Sequence, residues 1–221
     1  LTAWEQVRRG GGSGRVEVRS QEPIHANNPN YAVLAVERAG EGVGLANTGF
    51  GGIPLKAGGK YDVSLFARRL AGEPVALAAR LERKDGRVLA ETAFSVVSEA
   101  WGKHVATLCP QEDEPDARLV VLARSVGTVA LDMVSLFPQV TFRNRPNGLR
   151  TDLAQVIADL KPRFVRFPGG CLAHGDGLDN IYRWKDTIGP VERRKAQRHI
   201  WRYHQTLGLG YFEYFQFCED I

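Results

Sequence analysis

The hydrophobic grammar of this chain changes once, near Pro138, and that change limits what it can fold into. Before it, apolar and polar residues alternate. Between Lys60 and Arg69, Tyr61, Val63, Leu65 and Ala67 fall on one face, with Asp62, Ser64 and Phe66 on the other. Val75, Leu77, Ala79 and Leu81 repeat the pattern. A period of two belongs to a strand buried on one side. Further strands are predicted over 88–96, 103–108, 117–123 and 128–137. Lys84-Asp85-Gly86-Arg87 reads as a hairpin turn, because Asp-Gly accepts the positive φ that tight hairpins need. Gly10 to Gly14 reads as a glycine turn and not a phosphate loop, since no Lys-Ser/Thr pair follows it. About eight or nine short strands between Gly, Pro and Asp turns predict a β-sandwich or jelly roll over residues 1–137.

After Pro138 the spacing becomes helical. Leu149, Leu153, Val156, Ile157 and Leu160 follow the i, i+3, i+4 rule of an amphipathic helix, and Lys161-Pro162 stops it. Phe164 to Phe167 reads as a short strand ended by Pro168-Gly169-Gly170. A loop rich in Gly and Asp runs to about Pro190, and the basic stretch 192–202 reads as helix. Leu209 to Ile221 reads as a last helix packing Tyr211, Phe212, Phe215 and Cys218 into a core. Helix, strand, loop and helix are α/β units, and one strand cannot make a parallel sheet. Residues 138–221 are therefore expected to lean on the β-domain or on another chain. The chain begins Leu1-Thr2-Ala3-Trp4 without Met and stops inside the last helix without a capping Gly, so both ends read as cut.

Charge marks the same join. Residues 1–137 carry 16 basic and 16 acidic side chains; residues 138–221 carry the remaining 13 and 9, the whole net +4. Hydrophobic content of 43% excludes a disordered tail, and no run approaches the ~18 apolar residues of a membrane span. The basic residues Arg193, Arg194, Lys195, Arg198 and Arg202 lack a recognition fold around them, so nucleic acid is not the expected partner. Three widely spaced cysteines, Cys109, Cys171 and Cys218, give neither a disulfide framework nor a zinc pattern.

Several groups are candidates for chemistry. Arg166 sits in an apolar segment, where a charge is costly unless paired; it points to a ligand or to a neighbouring carboxylate. Gly169 and Gly170 permit positive φ and close backbone approach. Cys171 would need an activating His to act as a nucleophile, and His174 nearby is weak support. Asp176-Gly177-Leu178-Asp179-Asn180 lacks the spacing of a calcium loop, so no metal or cofactor is expected. The acidic turn Glu112 to Asp116 reads as a solvated loop. Trp184 is either packing or a stacking surface for a sugar. Glycoside hydrolysis needs two flanking carboxylates. None pair convincingly: Glu213, Glu219, Asp220, Asp152 and Asp159 all read as solvated helix positions.

Four motifs carry a resemblance. They are Arg145-Pro146-Asn147-Gly148-Leu149-Arg150-Thr151-Asp152-Leu153, the stretch Leu160-Lys161-Pro162-Arg163-Phe164-Val165-Arg166-Phe167-Pro168-Gly169-Gly170-Cys171, then Trp184-Lys185-Asp186-Thr187-Ile188-Gly189-Pro190, and Leu209-Gly210-Tyr211-Phe212-Glu213-Tyr214. In this order and spacing the chain resembles the α-L-arabinofuranosidases of glycoside hydrolase family 51. The resemblance implies a carbohydrate-binding-module-like β-sandwich at 1–137 and the N-terminal part of a (β/α)8 barrel at 138–221. It implies retaining hydrolysis of arabinofuranosyl residues on plant oligo- or polysaccharides by a longer enzyme, with the catalytic Glu pair outside these residues. Arg166, Gly170, Cys171 and Trp184 would line the sugar subsite. The resemblance favours a secreted or periplasmic location, and the incomplete barrel suggests self-association. The alternative from the residues is a non-catalytic sugar-binding or structural module, whose Trp4, Tyr31, Phe50, Tyr61 and Trp101 would form a binding face or a core.

Overall fold

The computed structural model describes residues 3–221. It divides into two compact units. Of the described residues, one unit comprises 3–20 and 30–140, the other Gln21–Pro29 and Thr141–Ile221.

The first unit is two antiparallel sheets packed face to face. Its strands are β1 (Glu5–Arg9), β2 (Ser13–Arg19), β3 (Tyr31–Arg38), β4 (Gly42–Asn47), β5 (Ile53–Leu55), β6 (Tyr61–Ala71), β7 (Val75–Glu82), β8 (Val88–Val96), β9 (Gly102–Leu108), β10 (Glu114–Ala123) and β11 (Gly127–Pro138). One sheet runs β1-β4-β10-β7-β8, with β5 also on β10; the other runs β2-β3-β11-β6-β9. The alternation fixes which side is buried. Val63, Leu65, Val75, Leu77, Ala79 and Leu81 are fully enclosed, as their period requires. Leu34, Leu65 and Val129 from one sheet meet Val43, Leu77 and Val121 from the other in one core. The turn after β7 forms as its sequence demands: Gly86 takes φ +95°, Arg83 donates its N–H to the Arg87 carbonyl at 2.9 Å, and the Asp85 carboxylate accepts from the Arg87 N–H at 2.9 Å.

Of the five aromatics expected to form either a sugar face or a core, Tyr31 and Tyr61 are buried and Trp4 packs on the core. Trp101 lies edge-on to Tyr31 with the Arg68 guanidinium over its ring, and Phe50 alone is fully exposed. The acidic turn is not simply solvated. Asp113 pairs with Lys56 at 2.8 Å, Glu114 with Arg83 at 2.8 Å, Glu112 with Arg87 at 3.1 Å, and Asp116 with Lys84.

The second unit holds α1 (Thr151–Asp159), α2 (Gly170–His174), a small hairpin of β12 (Gln197–Arg198) and β13 (His204–Gln205), and α3 (Tyr211–Asp220). Phe142, Ala154 and Phe217 form its small core. Three expectations need correction. Phe164 to Phe167 is not a strand, because a strand exists only through backbone pairing and none of the described residues pairs with it. Residues 192–202 are not a helix: a 3-10 turn at Val191–Arg193 leads into the hairpin, because Arg194 is drawn into a buried ion pair. On α3, Phe212, Phe215 and Cys218 are exposed and Phe217 is the buried residue, so the inward stripe is set by contact with α1 and Phe142 and not by the aromatic run.

Candidate functional site

The segment that carries Arg166 is fixed by the residue after it. The Phe167 ring stacks on Tyr214 at 3.6 Å between centroids and meets Tyr182 and Tyr211 edge-on at 5.4 and 5.8 Å. Such aromatic pairs are worth about 0.5–1.5 kcal/mol each beyond their buried area. Phe167 faces this cluster while its neighbour Arg166 is exposed. Among the described residues no ion pair joins Arg166 to a carboxylate. The peptide bond between Phe167 and Pro168 is cis, and Gly169 follows at φ +90°, a conformation that L side chains rarely adopt. The turn then closes into α2, with Ala173 donating to the Gly169 carbonyl at 2.9 Å. Gly170 and Cys171 are both exposed there.

Trp184 is half exposed and contacts the same tyrosine, its ring 6.1 Å from that of Tyr211. Its turn is tied to the start of α3: the Thr187 hydroxyl donates to the Trp184 carbonyl at 2.8 Å and accepts from the Tyr211 N–H at 3.0 Å. Phe167 and Trp184 therefore share Tyr211 as a support. The structure attaches all four expected residues to one scaffold: Arg166 beside Phe167, Gly170 and Cys171 on the turn that follows, and Trp184 across Tyr211.

The loop between them folds around Asn180. Its side-chain carbonyl accepts from the N–H groups of Asp176 and Gly177, both at 3.1 Å, and its amide donates to the Arg198 carbonyl at 3.2 Å. Asp176 is gripped by the Arg198 guanidinium at 2.7 and 3.0 Å, which holds its carboxyl below the usual range. Among the described residues no three His, Cys, Asp or Glu side chains gather as metal ligands. The hairpin tip carries two exposed aromatics the sequence reading passed over, Trp201 and Tyr203, the latter stacked on His199 at 4.4 Å. Their signal was a Trp and a Tyr two residues apart inside a basic run.

The carboxylates are structural in their bonding. Glu213 and Asp220 are not the solvated groups expected. Burial raises the Glu213 carboxyl, but the Arg194 guanidinium at 2.7 and 3.0 Å and the Gly210 N–H at 2.8 Å outweigh it, and the group stays below its ordinary value. Arg145 holds Asp220 low at 2.8 Å. A general acid needs a raised pKa, and these have the opposite. Among the described carboxylates Asp132, on β11 of the first unit, is the one pushed up, to about 6, by burial. A cavity of about 350 Å³ lies between α1 and α3, lined by Leu149, Leu153, Ile157, Leu209 and Phe217 among others, and none of the four expected site residues borders it.

Comparisons with known proteins converge. The family profile described as Alpha-L-arabinofuranosidase 1 domain matches residues 156–221. An extracellular exo-alpha-L-arabinofuranosidase of Streptomyces chartreusis is 41% identical over 95% of this chain and 26% of its own length. A probable alpha-L-arabinofuranosidase A of Aspergillus flavus is 34% identical over all of this chain and 35% of its own. Among solved structures, an arabinose-bound GH51 α-L-arabinofuranosidase superposes with a TM-score of 0.90 at 33% identity, covering 100% of this chain and 36% of that one. The chain thus spans about a quarter to a third of the length of these relatives.

Proposed function

Because this chain belongs to the α-L-arabinofuranosidases of glycoside hydrolase family 51, we propose that its exposed Arg166–Cys171 segment and Trp184 form one wall of a site for terminal α-L-arabinofuranosyl residues. The observation that carries this reading is the shared support. Phe167 and Trp184 both rest on Tyr211, leaving Arg166, Gly170 and Cys171 open to solvent beside a half-exposed indole. Arg166 offers planar N–H donors to sugar hydroxyls, the Gly170 backbone allows close approach, and the indole face suits the C–H side of a ring.

The reaction is retaining hydrolysis. One carboxylate attacks the anomeric carbon and a second protonates the departing oxygen, about 5 Å apart. Glu213 and Asp176 near this wall are engaged with Arg194 and Arg198, so the wall residues orient the ring and do not break the bond. Residues 138–221 are then the opening part of a (β/α)8 barrel, whose sites gather at the C-terminal ends of strands, and 1–137 is a carbohydrate-binding-module-like sandwich. The partner is an arabinose-decorated plant oligo- or polysaccharide. Secretion or export to the periplasm suits such a substrate, and the extracellular name of the Streptomyces relative supports it.

Hydrolysis of an aryl α-L-arabinofuranoside tests both halves. The full-length protein should turn it over, and Arg166→Ala and Trp184→Ala should each raise KM about tenfold. The 221 residues alone should give only the blank rate; turnover well above it would overturn the assignment of the chemistry to carboxylates elsewhere.

A further inference from the structure

We propose that the loop joining β2 to β3 positions this wall, with Asn27 and Asn28 acting as a clamp on residues 192–194. The inference rests on the sugar-wall reading above.

Gln21–Pro29 belongs to the second unit, although both its neighbours in sequence are strands of the sandwich. The Asn28 side-chain amide donates to the carbonyls of Glu192 and Arg194, each at 2.9 Å, and the Asn27 amide donates to the Arg193 carbonyl at 2.7 Å. Two adjacent amides thus satisfy three successive carbonyls far along the chain. The loop is pre-shaped for this. Asn28 donates its own N–H to the His25 carbonyl at 2.9 Å, Asn27 donates its N–H to His25 Nδ1 at 3.2 Å, and Pro23 and Pro29 restrict both flanks.

From the clamped segment, contacts run to the wall without a gap. The buried Arg194 guanidinium donates to the carbonyls of Gly189, Leu207 and Gly208 and to both Glu213 oxygens. Glu213 caps α3, whose Tyr211 and Tyr214 hold Phe167, and whose Tyr211 N–H fixes the Thr187 hydroxyl bonded to Trp184. The Asn27 and Asn28 amides bond to residues 192–194 and so act on the wall through Arg194 and Glu213, as positioning residues.

Aspartate keeps the size of asparagine but cannot donate, and its charge repels the carbonyls it faces, so N27D/N28D opens the clamp. In the 221-residue chain, hydrogen exchange over 184–194 and 211–220 should speed up while β6, β7 and β10 keep their protection. In the full-length protein the same variant should raise KM for 4-nitrophenyl α-L-arabinofuranoside about three- to tenfold, with kcat within about twofold. Should the double variant not fold, N27D, which removes one bond, should move both readouts the same way by less. Unchanged exchange would overturn the clamp. Faster exchange with an unchanged KM would reduce the loop to a structural element and overturn the positioning role. A wild-type protein that cleaves no arabinofuranoside would overturn the sugar-wall reading itself, whatever exchange shows.

Discussion

Arg194 and Asp132 show how differently two charges can be housed. Arg194 is almost wholly buried, and its guanidinium donates to three backbone carbonyls and both oxygens of Glu213. A buried pair this well bonded is costly to break from one side, because the survivor is left without its partner. Arg194→Met should therefore destabilise the second unit by about 3 kcal/mol, read as faster hydrogen exchange over 184–220 with the sandwich strands unaffected. Asp132 is the reverse case. Burial pushes its carboxyl up to about 6 in β11, with only the Met133 N–H opposing. The folded state then holds a proton that the unfolded chain has released, so stability falls as pH rises from about 4 to about 6 and stays reduced above. Asp132→Asn should stabilise the sandwich at pH 8 by about 2–3 kcal/mol, and the gain should vanish near pH 4. Urea unfolding of both proteins at pH 4, 6 and 8 checks it; a gain that grows toward acid would refute the sign. Neither environment was legible in sequence. Arg194 stood as one of a basic run, and Asp132 fell inside the predicted strand 128–137 with nothing to single it out.

At the scale of elements, legibility followed the source of each element's order. β7 and β8 begin and end where the alternation does, because a one-residue slip would turn Leu77 or Leu81 outward. The segment Phe164 to Phe167 has strand composition but owes its shape to the aromatic cluster under Phe167, and no local pattern encodes a missing neighbour. The 192–202 stretch has helix-compatible residues, yet the long-range bonds of Arg194 and Arg198 pull it into a turn and a hairpin. Likewise the four wall residues were separate candidates by residue type and only the resemblance grouped them as one subsite, whereas the Tyr211 support that joins them is a tertiary fact. The contrast predicts unequal mutational costs. Leu77→Ala, at a fully enclosed site, should cost about 2–5 kcal/mol. Leu153→Ala on α1 removes a side chain that is 57% exposed despite its helical period, and should cost under about 0.5 kcal/mol. Denaturation midpoints of the two variants separate the cases.

For the whole molecule, the two units solve burial unequally. The sandwich encloses its apolar faces between two sheets. Among the described residues the second unit's core cluster is Phe142, Ala154 and Phe217, while Leu153 and Val156 on α1, Leu160 at its end, Phe164 beyond it, and Phe212 and Phe215 on α3 are more than half exposed. Soluble monomers rarely carry contiguous apolar patches beyond a few hundred Å². The helical period of α1 announced an apolar face, but a period says that a face seeks a partner, not which partner it has. The 221-residue chain should therefore associate with itself, its sedimentation-derived mass rising with concentration across the micromolar range. Leu153→Lys, Val156→Lys and Leu160→Lys together keep helix propensity while placing charge on that face. The triple variant should sediment as a monomer with the sandwich's thermal transition unmoved. A wild-type chain that stays monomeric across that range, with a single cooperative transition for both units, would show that these side chains find cover within one copy.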